Sequence, residues 1–375
     1  MSRRDASHQG IEIESGDSVW HVLRAKFSMN VKSPAPVVSV IILNWNAAQW
    51  IPRCLESLRQ QTIFLQIEII FADNASNDDS EQIARAGMSG WPNGTFLQNG
   101  GNFGFAGGCN RGAAAATGKY LFFLNPDVWL EANCLEELVA AGEKTGAMAI
   151  APMILNYADD TVQWWLADGF DFSGWMVSAR FDRKRVMSFS GGTFAFIRAD
   201  SFRKLDGYDE EFFMYGEEED LAWRIWVGGG NVTVVPNARL HHRGAATVNP
   251  QGGEQITEFR TSERKRFYAN RNHLLVLLKH SQHILLLTAG VFMGMLFIEG
   301  VFWLLLMRRW SLVQATTLEP LRDCWRLRGH IRAKRRQVQS FRRHGDWWML
   351  RFLCCRLGRS GDLKKIFKFG LPKIS

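Results

Sequence analysis

Residues 37–46, VVSVIILNWN, form a nearly continuous apolar run rich in valine and isoleucine, the pattern of a strand buried on both faces. The next segment, AAQWIPRCLESLRQQ, changes period, and Ile51, Leu55 and Leu58 fall on one helical face. IEIIFADNAS (67–76) repeats the buried-strand pattern and ends in a polar loop at Asp73-Asn74; the helical segment SEQIARAG follows. Residues 95–118, TFLQNGGNFGFAGGCNRGAAAATG, predict a short strand, a glycine-rich loop and an alanine-rich helix. KYLFFLNPDV (119–128) is a third strong strand. Strands alternating with helices predict an α/β domain with a doubly wound, mainly parallel sheet. Such sheets bind ligands at the carboxyl ends of their strands, which directs attention to residues 44–46, 73–76, 99–110 and 125–127.

The pattern loosens over 190–224 and 231–247. Beyond it, HILLLTAGVFMGMLFIEGVFWLLLM (283–307) is apolar enough and long enough to cross a bilayer, with Glu299 its one acidic residue. Arg308 and Arg309 follow directly, and the remaining chain is rich in Arg, Lys and Trp. No internal repeat or low-complexity tract is visible.

Composition changes this picture in three ways. A chain of 375 residues that is 46% hydrophobic and 22% charged holds a packed core, so wholesale disorder is excluded. The net charge of +8 conceals an asymmetry: residues 260–375 carry 24 basic and 6 acidic side chains, and residues 1–259 carry 21 and 31. An acidic body with a basic tail points to a polyanion partner for the tail. The six cysteines show no C-x-x-C spacing, which fits neither a zinc site nor a disulfide framework and suits a reducing compartment. Residues 1–36 lack the apolar core of a secretory signal and read as an N-terminal extension.

Four motifs could carry chemistry. NGGNFGFAGGCNRG has neither dinucleotide-fingerprint nor P-loop spacing; its glycines allow close approach of a phosphate or sugar, or simply a tight turn. Asn125-Pro126-Asp127 follows a strand, where a carboxylate can hold a hard divalent cation or merely complete a turn. His241 and His242 follow another probable strand, as structural residues or as ligands. The fourth is FFMYGEEEDLAWR (212–224). Its acids suit a helix N-terminus, and Asp220 pairs with Arg224 at i,i+4. Glu217 and Glu218 lie earliest and are free to face a pocket as a proton acceptor.

Taken in order, VSVIILNWN, ADNAS, NGGNFGFAGGCNRG, LFFLNPDV, SGGTFAFIRADSFRKLDGYDEEFFMYGEEEDLAWR and HHRGAAT resemble the family 2 glycosyltransferases of GT-A fold, in particular the bacterial rhamnosyltransferase-like branch. The resemblance covers about residues 37–275. It implies that Asn44, Asn46, Asp73 and Asn74 grip the nucleotide, and that Asn102, Gly104 and Asn110 line the donor pocket beside Asn125. It implies that Asp127 and His241 hold Mg²⁺ or Mn²⁺ on the diphosphate, with Glu218 as general base and Glu217 as its reserve. Two positions depart from the family pattern: Asn125 replaces the first acid of D-x-D, and Glu218 stands where aspartate is usual.

The expected activity is inverting, metal-dependent transfer of a sugar from a nucleotide sugar to a lipid-linked or polysaccharide acceptor, with rhamnose from dTDP-rhamnose as the expected donor. Its rivals are a hexosyl- or galactofuranosyltransferase using a UDP-sugar, and a catalytically inactive nucleotide-sugar-binding module. Residues 276–375 are expected to form an apolar helical hairpin, broken near 297–300, and a basic tail. A single span would separate a body that needs cytosolic donor from a tail that favours the same side. The hairpin would then rest on anionic lipid at the cytoplasmic face of a bacterial inner membrane. Nucleic acid is not expected, since no nucleic-acid module accompanies the basic tail.

Overall fold

The computed structural model of the protein describes residues 35–163, 166–178, 186–188, 195–244, 260–359, 366–367 and 370–374. The N-terminal extension up to residue 34 lies outside the described residues, as do 189–194 and 245–259 within the quoted motifs.

The predicted strands form, and each is buried as its apolar run requires. In chain order the elements are β1 (Val38–Asn44), α1 (Ile51–Arg59), β2 (Ile67–Asp73), α2 (Ser80–Gly87), β3 (Gly94–Gln98), α3 (Gly104–Ala115), β4 (Tyr120–Leu124), β5 (Val128–Leu130), α4 (Cys134–Thr145) and β6 (Ala149–Asn156). They continue with β7 (Ala167–Phe170), β8 (Met176–Ser178), β9 (Phe196–Arg198), α5 (Ala199–Lys204), α6 (Glu217–Val227) and β10 (Val232–His242). The main sheet has the order β3-β2-β1-β4-β9-β6-β10-β5. Its β3-β2-β1-β4 half is parallel, and β9 and β5 run antiparallel to their neighbours. The register pairs Asn44 with Asp73, so the polar ends of β1 and β2 emerge together.

One local expectation is corrected. The glycines of GFAGGCNRG are not a loop but the first two turns of α3. A Cβ on Gly108 would lie 2.4 Å from the Leu43 side chain, and one on Gly112 would lie 2.5 Å from Ile41. These glycines let α3 press onto β1, and that packing outweighs their poor helix propensity of about 1 kcal/mol each. The loop that remains is short, residues 99–103.

The C-terminal part is helical: α7 (Glu263–His280), α8 (Leu286–Phe302), α9 (Trp310–Val313), α10 (Glu319–Arg326), α11 (Arg328–Phe341) and α12 (Asp346–Met349). A π-helical turn, Trp303–Met307, extends α8. The expected break near 297–300 does not occur. The chain reverses instead at Arg308, whose φ is 47°. Glu299 does not interrupt the helix because it is satisfied: Arg266 and the Trp303 indole donate to it at 3.2 and 3.1 Å, and Arg359 pairs with its other oxygen.

The body and the C-terminal helices share one core and one buried ion network. Asp220, wholly buried, meets Arg224 at 2.8 Å, Lys279 at 2.6 Å and His280 at 2.8 Å. The Asp220–Arg224 pair is as expected; Lys279 and His280 come from α7. Removing one member of such a network leaves uncompensated buried charge, so Asp220→Asn is expected to cost about 3–5 kcal/mol in thermal or urea denaturation. The network also sets a pH dependence. Burial alone would raise the Asp220 pKa, but Lys279, Arg224 and His280 hold it well below the ordinary carboxylate range. Burial pushes His280 from 6.5 down to about 4. Both groups bind protons more readily when unfolded, so stability falls as pH drops from about 6.5 towards 4. A His280→Gln variant whose melting temperature followed pH across that window just as the wild type's does would contradict this account.

Candidate active site

The carboxyl ends of β1 and β2 carry an interlocked polar loop. Asn44 Nδ2 donates to Asp73 Oδ1 at 2.7 Å and to Ser76 Oγ at 3.0 Å. Asp73 also accepts from the Ser76 amide (2.8 Å), the Ser76 hydroxyl (2.6 Å) and Gln98 Nε2 (3.1 Å). Asn74 donates to the Gly104 carbonyl at 2.9 Å and accepts from Asn99 at 2.8 Å. Asn110 is tied to the 208–210 segment: it accepts from the Tyr208 amide at 3.0 Å and donates to the Tyr208 carbonyl at 2.8 Å. Asn44, Asp73, Asn74 and Asn110 are all buried. Their polar groups therefore hold the loops in shape, whereas Asn46 and Asn102 are exposed and Asn125 is half-buried.

At the end of β4, Asp127 meets a histidine, but not the expected one. His242 Nε2 stands 3.5 Å from Asp127 Oδ2. His241 points to the opposite face of β10, stacked on Trp129 at 3.5 Å, with Nε2 3.6 Å from Glu131. The cause is the two-residue period of a strand: adjacent histidines cannot share a face. Gln163 Oε1 lies 3.1 Å from His242 Nδ1 and orients the ring, leaving Nε2 towards Asp127. One carboxylate oxygen and one imidazole nitrogen are donor types that suit Mn²⁺ or Mg²⁺. Among the described residues no group of three or more such ligands occurs.

The acidic run begins α6 and is buried throughout. Glu218 Oε2 accepts from the Gly216 amide at 3.1 Å. Glu217 is 2% exposed, its Oε2 has no hydrogen-bond partner, and burial together with the Glu218 charge pushes its carboxyl well above the ordinary range. Glu219 faces His273 of α7 at 3.3 Å. The preceding segment is strained. Phe213 has φ 60° and ψ −62°, and the Met214 amide bonds the Phe212 carbonyl at 2.6 Å, a γ-turn of the rare positive-φ kind. Tyr215 also has positive φ. The Phe213 carbonyl accepts from the amides of Phe105 (2.5 Å) and Ala106 (3.2 Å) at the start of α3. Gly104, at φ 68°, leaves room for that carbonyl, since a Cβ there would lie 2.2 Å from it.

The residues that hold this strain were not singled out in the sequence. Asn272, on α7 and fully buried, donates to the carbonyls of Phe212 (2.8 Å), Met214 (2.9 Å) and Tyr215 (2.6 Å). Arg271 adds contacts to Glu211 and Phe212 and binds the Asn272 side chain at 2.7 Å. The available signal was the polar run Asn270–His273 directly before the apolar stretch Leu274–Leu278 of the same helix.

The comparisons define the class. Residues 39–206 match the family model described as glycosyl transferase family 2. The fold is of GT-A type: a crystal structure of GalNAc-T7 with UDP, GalNAc and Mn²⁺ superposes with a TM-score of 0.53 at 20% identity, over 67% of this chain and 49% of that one. Among relatives, the N-acetylglucosaminyl-diphospho-decaprenol L-rhamnosyltransferase of Mycobacterium tuberculosis is 26% identical over 242 residues, 56% of this chain and 78% of that protein. A Drosophila melanogaster protein classed with polypeptide N-acetylgalactosaminyltransferase 13 is 27% identical over 259 residues, 60% of this chain and 46% of its own length. The chain thus spans about half of the latter.

Proposed function

We propose that the protein is an inverting glycosyltransferase that moves a sugar from a nucleotide sugar to a hydroxyl of a lipid-linked or polysaccharide acceptor in bacterial cell-envelope synthesis. The observation that carries this is the convergence, at the strand ends of a family 2 domain, of the Asn44–Asp73 loop, the Asp127–His242 pair and the buried acids of α6. Similarity to a mycobacterial rhamnosyltransferase supports rhamnose from dTDP-rhamnose as the donor. The competing reading, a UDP-hexose or UDP-galactofuranose donor, differs only in pocket shape and base. Residues 37–275 carry this chemistry, 1–36 form an extension, and 276–375 provide contact with the cytoplasmic face of the inner membrane.

In this scheme Asn46, Asn102 and Asn125 contact the donor on a frame set by Asn44, Asp73, Asn74, Gly104 and Asn110. Glu218 accepts the acceptor hydroxyl proton as its oxygen attacks the anomeric carbon. The bond from that carbon to the diphosphate breaks on the opposite side, and the configuration inverts. Asp127 and His242 would hold Mg²⁺ or Mn²⁺, which supplies charge neutralisation at the departing diphosphate when bound. Manganese in the GalNAc-T7 complex supports a divalent ion.

Calorimetric titration of detergent-solubilised protein with dTDP, UDP and GDP, each with and without Mn²⁺, tests this reading. Metal-dependent binding of one nucleotide is expected; no binding to folded protein would leave only an inactive module. His242→Ala is expected to weaken Mn²⁺-dependent nucleotide binding about ten- to a hundred-fold, and His241→Ala to change it far less. The reverse order would restore His241 as the ligand.

A further inference from the structure

The proposed membrane location leaves open how the chain meets lipid, and α8 answers it. Leu285, Ala289, Phe292, Leu296, Gly300 and Trp303 are buried at spacings of three and four, which puts one face of the helix against the body. The opposite face is apolar and open: Leu287 is 71% exposed and Leu305 73%. The one acidic residue, Glu299, is turned away from it into the pairs with Arg266 and Arg359. After the reversal at Arg308 the chain packs back on α8, where Thr317 Oγ1 donates to the Leu296 carbonyl at 2.7 Å. Both ends of the hairpin therefore return to one body, and lipid can reach only one side of the helix. A helix crossing the bilayer at that point would have to bury its packed face in lipid and carry the body with it.

We propose that the open face of α8, formed by Leu287, Val291, Phe297, Ile298, Val301 and Leu305, lies in the plane of one anionic leaflet without crossing it. Arg308, Arg309 and Trp310, all exposed at the turn, sit at headgroup level. The partner is an anionic bilayer rather than a second copy, because this apolar face ends in an arginine pair and belongs to a segment, 260–375, with 24 basic and 6 acidic side chains. Two such surfaces would repel. The inference deepens the membrane part of the proposed function and rests on it only for the side of the membrane.

The test uses the full chain and preformed phosphatidylcholine vesicles containing about a quarter phosphatidylglycerol. The protein is expected to float with these vesicles, to prefer them to pure phosphatidylcholine, and to stay bound in about 1 M salt, where the Debye length is ~3 Å. The double variant Ile298→Asp, Leu305→Asp is expected to lose vesicle affinity by about a hundred-fold or more, with melting temperature and nucleotide binding unchanged. Cysteines placed at His283 and at Arg309, one at each end of α8, are expected both to react with a membrane-impermeant maleimide added outside, above the native-cysteine background. Complete release by salt, unaltered flotation of the double variant, or labelling at only one end would each overturn the proposal. So would a dimer in solution that the two aspartates dissolve. Loss of nucleotide binding with flotation intact would count against the enzyme reading alone.

Discussion

Glu218→Gln is expected to lower sugar transfer by about 10²–10⁴-fold while leaving nucleotide affinity unchanged. The two adjacent acids of α6 differ in the way that matters for a base. Glu217 is enclosed, and burial and then the Glu218 charge favour its protonated form. A carboxyl pushed towards its protonated form is the poorer acceptor for a hydroxyl proton. Glu218 is the less enclosed of the two, at 7% exposure, and its Oε2 is fixed by the Gly216 amide at the head of the helix. Glu217→Gln replaces this carboxyl by an amide of the same shape and is expected to cost less than about tenfold. Transfer rates and nucleotide titrations of the two variants decide the matter: a larger loss for Glu217→Gln would make Glu217 the base.

Local period made the strands legible, and with them the ends of β1, β2 and β4 where the polar loops converge. The pair Asp220–Arg224 was equally plain, because i,i+4 spacing fixes a contact without tertiary information. What depends on register or docking was not. Adjacent histidines on a strand face opposite ways, and only the tertiary contact of the His242 ring with Asp127 shows which of them meets it. The glycines of α3 pattern as a loop until β1 is seen pressing on Gly108 and Gly112. Asn44, Asp73 and Asn110 entered as expected donor-site residues through the family resemblance. Their engagement with neighbouring loops, rather than with open space, follows from partners 29 to 98 residues away. The boundary drawn at residue 275 falls within α7, since a hydrophobic pattern cannot show that the same helix clamps the acids of the body at one turn and feeds the apolar hairpin at another.

That clamp predicts a large effect far from any apparent motif. Asn272→Ala is expected to lower turnover about ten- to a hundred-fold, with the KM for the nucleotide sugar nearly unchanged. The strained 212–216 segment sets where Glu217 and Glu218 stand, and three of its carbonyls lean on one side-chain amide. Without it those buried acceptors lose their donor, and the positive-φ residues Phe213 and Tyr215 have less to hold them in a costly conformation. Stability should fall by about 1–3 kcal/mol as well, so a loss of activity on its own would not separate positioning from packing. Asn272→Asp does. Aspartate keeps the shape but has only acceptors to offer the same three carbonyls. If Asn272 merely fills space, the aspartate variant should be milder than alanine. If its amide donors aim the acids, aspartate should be at least as damaging to turnover as alanine, with donor KM still intact, because the polarity of the contact, not its volume, is what the loop requires.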